Sequence, residues 1–240
     1  MDDIQIVSIS VPATVLVTGA SGFLATFCCQ SLLRRGFNVR GTVRSQAKGE
    51  YLKKLSENEP NGKFEYIIVE DIQAPNAFDE AVKSVDAVEH VASPLTGFGG
   101  EPEQVLKPAI QGTIGILESV KKNGPGVKRI VITSSSGAVS GMKDTTWNQA
   151  AVDEVEKKGK AAPDMIGGPN IQEGGISASN MYLLGPVDPN NRKTGDELTM
   201  RKRSCCDVRD IADIHTELLM ASKAGGERIL AAPGWSSHIV

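Results

Sequence analysis

Runs of apolar, β-branched residues alternate with segments of helical period along the chain as far as Ser136. The apolar runs predict strands, and the segments with apolar positions three and four residues apart predict helices between them. These strands are too continuously apolar for one face to meet water, which is typical of a parallel sheet covered on both sides. The pattern therefore predicts an α/β fold with a doubly wound, Rossmann-like parallel sheet. Strands are expected at residues 13–20, 37–44, 63–71, 86–93 and 127–136, and helices at 23–36, 47–57, 77–85 and 103–124.

The pattern changes after Ser136. Residues 160–175 are mostly Gly, Pro, Ala and polar side chains, a composition that predicts a loop. Nothing in the rest of the chain marks a second domain, so we expect one domain over residues 1–240. The remaining predicted elements are helices at 145–159 and 208–226, strands at 180–186 and 227–234, and a polar loop at 188–197.

Composition limits the class of partner. The chain has 240 residues, 40% of them apolar, which is enough to bury one sizeable core. Its net charge of −3 gives no broad attraction to nucleic acid or to an anionic membrane, so a small-molecule partner is expected. Residues 1–20 lack both a basic leader and an uninterrupted apolar stretch, and the expected location is therefore the cytoplasm.

The cysteines occur as two neighbouring pairs, Cys28-Cys29 and Cys205-Cys206. This spacing does not match that of a metal site, and the one histidine close to either pair, His215, falls on a predicted helix. We therefore expect reduced thiols and no bound metal.

A turn rich in small residues joins the first predicted strand to the first predicted helix. It reads Thr-Gly-Ala-Ser-Gly-Phe-Leu-Ala over residues 18–25, with Gly19, Gly22 and Ala25 at three-residue spacing. Small residues let the backbone turn tightly and approach a pyrophosphate, and the helix N-terminus offers N–H groups to the phosphates. The pattern indicates a dinucleotide site, although a glycine-rich turn without a ligand has the same spacing.

Two basic residues follow the second predicted strand, where a dinucleotide site distinguishes the ribose hydroxyl from the ribose phosphate. An acidic residue there would accept a hydrogen bond from a 2′-hydroxyl, but this chain has Arg44 and Lys48. A guanidinium suits a phosphate bidentately, so the pair favours NADP over NAD. The alternative is a pair of solvated surface cations.

Several motifs in order resemble the extended short-chain dehydrogenase/reductase superfamily, in particular its dihydroflavonol reductase-like branch with the fungal methylglyoxal and aldehyde reductases. The similarity is dense over residues 1–140, irregular over 141–180 and shortened over 181–234. The matching segments are TGASGFLA (18–25), TVRSQAK (42–48), EDI (70–72), HVASP (90–94), QGT (111–113), TSSSGAV (133–139) and DVRDIADIH (207–215).

The resemblance implies which residues hold the cofactor NADP. It also implies that His90 is structural. The implied contacts are Gly19, Ser21, Gly22, Phe23 and Leu24 for the pyrophosphate, Arg44 and Lys48 for the 2′-phosphate, Asp71 and Ile72 for adenine, and Val91, Ala92 and Ser93 for the ribose and nicotinamide side.

The resemblance further implies hydride transfer from NADPH to the carbonyl of an aldehyde or ketone. In the family a serine holds the carbonyl oxygen, and a tyrosine gives the proton beside a lysine that lowers its pKa. Ser135 is the best positional match for the serine, with Ser134 and Ser136 as alternatives one residue away.

The family's Tyr-x-x-x-Lys pair is absent from the sequence. The residue four positions after each of the three tyrosines is Leu55, Glu70 or Pro186. Tyr182 is interpreted as a strand residue, and the family's catalytic helix and C-terminal substrate lobe are expected to be missing. Three functions follow as hypotheses: a carbonyl reductase with weak turnover, an inactive NADP-binding protein acting as a sensor, interaction module or truncated product, and an epimerase or lyase acting on a nucleotide sugar.

Overall fold

The structure is a computed structural model, and it describes residues 7–93, 103–134, 166–167, 206–226, 229 and 231. Within these residues five parallel strands form one sheet in the order β3-β2-β1-β4-β5. The strand order reverses between β1 and β4, as in a doubly wound sheet, which confirms the predicted fold class. The strands are β1 (Thr14–Val17), β2 (Asn38–Val43), β3 (Phe64–Ile68), β4 (Ala87–His90) and β5 (Arg129–Ile132).

Helices cover both faces of this sheet. They are α1 (Phe23–Arg34), α2 (Gln46–Ser56), α3 (Glu103–Asn123) and α4 (Val208–Met220). Alternate residues of each strand supply the two cores, because successive side chains point to opposite faces. Val15, Val17 and Ala87 pack with α1 and α4, whereas Leu16 and Val88 pack on the other side with Ile116 of α3.

The predicted helix at residues 77–85 is wrong. This segment is a succession of turns, and positive φ angles at Asn76 (60°) and Ser84 (57°) break the helical path near its two ends. Its apolar side chains are nevertheless spaced as predicted, with Phe78, Val82 and Val85 buried in the core beside α3. The apolar spacing therefore predicted the buried positions correctly. The segment between Asn76 and Ser84 is, however, too short to form a stable helix.

The C-terminal part of the fold differs from prediction in detail. Two short strands, β6 (Ile166–Gly167) and β7 (Cys206–Asp207), pair in parallel, although residues 160–175 are predicted to be a loop. Helix α4 begins as expected but ends at Met220, and a 3₁₀ turn (Ser222–Ala224) follows. The predicted elements at 145–159, 180–186 and 188–197 lie outside the described residues, as does most of 227–234.

Polar contacts attach α4 to the rest of the fold. The Ser31 hydroxyl of α1 donates to Asp213 at 2.5 Å, and Thr216 donates to Ser31 at 3.0 Å. At the C-terminal end of α4 the buried guanidinium of Arg129 donates to the carbonyls of Leu218 (2.6 Å) and Ala221 (2.7 Å). Helix α4 is thereby fixed against both α1 and β5.

Candidate functional site

The candidate site lies at the carboxyl ends of β1 and β4, where the strand order reverses. In open parallel sheets, ligands bind at such a crevice because the loops leaving neighbouring strands diverge there. The loop after β1 and residues 91–93 after β4 are side by side: a Cβ atom placed on Gly19 would lie 3.1 Å from the Cβ atom of Ala92.

Gly19 has the left-handed backbone conformation (φ 63°) that the turn after β1 requires. Its N–H donates to the Thr42 hydroxyl of β2 at 2.8 Å, and the N–H of Gly22 donates back to the carbonyl of Gly19 at 2.7 Å. Any side chain at position 19 would therefore be strained and would also crowd Ala92. The predicted need for a small residue is explained by these contacts.

Helix α1 begins immediately after this turn and presents its N-terminus to the crevice. Gly22 is the N-cap, no side chain caps the helix, and its first turn has no acidic residue. The N–H groups of the first turn of a helix have no partner within the helix, and the dipole makes this end positive. The side chain of Leu24 is buried in the core and the ring of Phe23 packs on Phe27, so both residues could serve an anion only through their N–H groups.

Arg44 and Lys48 are both exposed and flank the N-terminus of α2. Arg44 follows the last residue of β2, Ser45 is the N-cap without a side-chain bond, and Lys48 is in the first turn. This first turn also lacks an acidic residue. Two cations and an uncapped helix N-terminus together favour a phosphate group beside the end of β2.

Asp71 and Ile72, the predicted adenine contacts, follow β3. The Asp71 carboxylate accepts from the N–H of Gln73 at 2.8 Å and forms a local turn. Ile72 reaches across to α3, where a Cβ atom on Gly112 would be only 2.6 Å from its Cδ1 atom. Gly112 therefore has a structural role: it gives Ile72 room to pack on α3.

His90 at the end of β4 connects three elements. The Thr18 oxygen accepts from the N–H groups of Val91 (3.1 Å) and Ala92 (3.0 Å), which occupies both of its lone pairs. Its hydroxyl hydrogen is therefore left to donate to Nδ1 of His90 at 3.0 Å. The Nε2 atom of His90 faces the Thr113 hydroxyl at 3.4 Å. Burial lowers the pKa of His90 to about 4, so the imidazole is neutral, and because Nδ1 accepts from Thr18 the proton is on Nε2. This geometry fits the structural role expected for His90.

The strand that precedes the predicted substrate serine in the sequence is β5. Thr133 follows it and donates its N–H to the carbonyl of His90 at 3.0 Å, and the next residue, Ser134, is exposed. Ser135 lies outside the described residues, so its role as the carbonyl-binding serine stays a prediction. The tyrosine of β3, Tyr66, is at the opposite edge of the sheet from β5, and its hydroxyl donates to Glu50 at 2.6 Å.

Cys28 and Cys29 are buried free thiols in α1, and the half-buried Cys206 donates its thiol to the carbonyl of Ala231 at 3.5 Å. Burial and the nearby Glu89 carboxyl both raise the pKa of the Cys29 thiol, which keeps the thiol protonated.

No cluster suited to a metal ion occurs among the described His, Cys, Asp and Glu side chains. Among the described helices, none has the length and apolar character needed to cross a membrane.

Two threonines that shape the site were not found by the sequence reasoning. Thr18 holds residues 91 and 92, and Thr42 receives the N–H of Gly19. Thr18 appears in the matched turn only as its first residue, and Thr42 is a β-branched residue in a strand, where threonine is ordinary. Their roles depend on contacts between strands distant in sequence, and no local pattern gives these contacts.

The chain matches a family of known proteins. The model described as the 3-beta hydroxysteroid dehydrogenase/isomerase family matches residues 16–163, more than half of the 240 residues. The putative NADPH-dependent methylglyoxal reductase GRP2 of Candida albicans is 32% identical, and the match covers 91% of this chain and 78% of that protein. Aldehyde reductase 2 of Sporidiobolus salmonicolor is 36% identical over 158 residues, 62% of this chain and 46% of that protein.

Solved structures agree with the sequence matches. The crystal structure of Gre2 from Candida albicans in complex with NADPH superposes with a TM-score of 0.74 at 27% identity, covering 92% of this chain and 78% of that one. Other relatives are matched over a smaller part of their length. The chain spans only 43% of the NAD-dependent epimerase/dehydratase terH of Aspergillus terreus, to which it is 39% identical.

Proposed function

Because the chain belongs to the 3-beta hydroxysteroid dehydrogenase/isomerase family within the extended short-chain dehydrogenases/reductases, we propose that it binds NADP(H) and reduces a carbonyl group with it. The substrate would be a small aldehyde or ketone. The reductase names of GRP2 and aldehyde reductase 2 support this reaction class.

One observation carries the proposal: the uncapped N-terminus of α1 faces the crevice directly after the Gly19 turn. When bound, the dinucleotide supplies a hydride. The residues of this chain would hold it, with the first-turn N–H groups of α1 on the pyrophosphate and Ile72 beside adenine. Residues 91–93, of which Thr18 holds the first two, would form the wall on the nicotinamide side.

Arg44 and Lys48 would make the site select NADPH over NADH by pairing with the 2′-phosphate. Both side chains are exposed, so we expect each of their bonds to the phosphate to contribute a free energy at the lower end of the range for charge-assisted hydrogen bonds. Removing both cations should therefore weaken the affinity for NADPH by about 10-fold. A competing role as solvated cations predicts no selectivity at all.

The test is a fluorescence titration with NADPH and with NADH. Wild-type protein should bind NADPH more tightly, and Arg44→Gln with Lys48→Gln should lose most of this preference while keeping its affinity for NADH. Lys54→Gln, a removal of positive charge in the last turn of α2, is the control and should leave the preference intact. If the titrations show no binding of either dinucleotide, the proposal is wrong.

A second candidate, an NADP-binding protein without turnover, is favoured by the absence of a tyrosine with a lysine four residues later. Loss of a positioned general acid costs about 10² to 10⁴ in rate. The two candidates separate when a panel of aldehydes and ketones is added to the NADPH complex. Consumption of NADPH at rates normal for reductases supports the enzyme, and stable NADPH across the panel supports the binding protein.

A further inference from the structure

His215, on the buried side of α4, makes a specific polar contact with the end of β5. Its Nε2 atom lies 2.9 Å from the Thr133 hydroxyl, and its Nδ1 atom lies 2.8 Å from the carbonyl oxygen of Ile211. A carbonyl can only accept, so Nδ1 must carry the proton and Nε2 must accept from Thr133. The side chain is 7% exposed, and burial lowers its pKa, which keeps the ring neutral and Nε2 able to accept.

Thr133 continues this contact into the candidate site. Its N–H donates to the carbonyl of His90 at 3.0 Å, and the His90 ring is held by the Thr18 hydroxyl. Thr18 in turn receives the N–H groups of Val91 and Ala92. Hydrogen bonds joined through the residues Thr133 and His90 therefore connect α4 with the carboxyl ends of β5, β4 and β1 and with the wall of the crevice.

We propose that His215 is a positioning residue for the nicotinamide side of the dinucleotide site: by accepting from the Thr133 hydroxyl, it holds the end of β5 beside residues 91–93. This inference rests on the proposed function. His215 acts through Thr133, and the adenine side, formed beyond β2 and β3, should not depend on it.

Two substitutions separate the positioning role from simple packing. His215→Gln places an amide oxygen near the position of Nε2 and can still accept from Thr133. His215→Asn keeps a polar group near Nδ1, beside Ile211, but leaves the Thr133 hydroxyl without its acceptor. Thr133→Val removes the same contact from the other side and keeps the side-chain shape.

Two ligands then report on the two halves of the site. Adenosine 2′,5′-bisphosphate carries the adenine and the 2′-phosphate but no nicotinamide, whereas NADPH carries both halves. His215→Asn and Thr133→Val should weaken NADPH binding about 5-fold and reduce the nicotinamide fluorescence gain, as expected for one lost hydrogen bond. His215→Asn and Thr133→Val should bind the bisphosphate with wild-type affinity. The affinity of His215→Gln for NADPH should be within about twofold of the wild-type value.

Hydrogen exchange provides a readout that needs no ligand. The Thr133 amide should exchange about 5-fold faster in His215→Asn than in His215→Gln, because its bond to His90 depends on a fixed strand end. If both variants bind NADPH equally and exchange equally, the inference is overturned while the proposed function stands. If wild-type protein binds neither ligand, the proposed function is wrong, and with it the nicotinamide role of His215.

Discussion

Glu89 in the inner strand β4 has no exposed surface, and neither carboxyl oxygen has a hydrogen-bond partner among the residues that the structure describes. It lies on the α1 side of the sheet near Cys28 and Cys29. Burial raises the pKa of the Glu89 carboxyl to about 8. The adjacent Cys28 thiol, a weak donor, offsets little of that shift because no hydrogen bond of ordinary geometry joins the two groups. We therefore predict that Glu89 makes the stability of this fold decrease as pH rises.

The sign follows from which state holds the proton. The unfolded chain releases the Glu89 proton near pH 4.5, whereas the folded protein keeps it until about pH 8. The stability is therefore fully present below pH 4.5 and is lost as pH rises through 8. Each pH unit between these values costs about 1.4 kcal/mol of unfolding free energy. Between pH 5 and pH 8 the loss is about 3 to 4 kcal/mol, a large part of a typical domain's stability.

The assay is urea unfolding at several pH values, in reducing buffer because unfolding exposes Cys28 and Cys29. Glu89→Gln and Glu89→Leu should each gain stability relative to the wild type as pH rises, by about 3 to 4 kcal/mol between pH 5 and pH 8. Comparing each variant with the wild type at the same pH cancels the contribution of the other titrating groups. Glu57→Gln, at an exposed position after α2, should show a constant difference. A difference for Glu89→Gln that is equally constant would refute the reasoning.

Two further predictions concern glycines of the matched motifs. Gly19→Ala must adopt a positive φ and would place its Cβ atom 3.1 Å from that of Ala92, so we expect a loss of about 1 to 2 kcal/mol in stability and weaker NADPH binding, measured by thermal shift with and without NADPH. Gly112→Ala gains about 1 kcal/mol of helix propensity but forces Cδ1 of Ile72 to move, so we expect a net change in urea unfolding of less than about 1 kcal/mol. In Ile72→Val, which lacks that atom, Gly112→Ala should stabilise the fold by about 1 kcal/mol; the same effect in both backgrounds would mean that Ile72 is not the obstacle.

The sheet could be predicted because each strand is indicated by residues that are neighbours in the sequence. A run such as residues 127–136 is apolar and β-branched over the length of a strand, and Gly36 ends the helical pattern that follows β1. The segment 77–85 has the same kind of signal but forms turns, because Asn76 and Ser84 take positive φ angles that apolar spacing does not report. Periodicity thus gave the buried side of each segment more dependably than its conformation.

The site could be predicted only in part. The Gly19 turn and Arg44 could be proposed as site residues because motif spacing and residue type carry the chemistry directly, and their contacts with a dinucleotide stay a prediction. The Thr133 contact with His215 spans 82 residues, and the Thr18 contact with His90 spans 72. Such pairs exist only once the strands are in order, so a single sequence gives no basis for them.

Two neighbouring residues of β4 show why contacts between distant segments, which the sequence does not give, matter for function. Glu89 and His90 are both buried and titratable, but alternation along the strand places them on opposite faces. His90 has polar contacts at both ring nitrogens and connects to the wall of the crevice, whereas the Glu89 carboxyl has no hydrogen-bond partner in the described part of the chain and lies among apolar side chains and thiols. His90 and its partners thus follow the carboxyl edge where the dinucleotide is proposed to bind, and the Glu89 carboxyl lies inside the fold. We therefore expect Glu89 to affect stability and pH dependence, and the Thr18, His90, Thr133 and His215 series to affect binding.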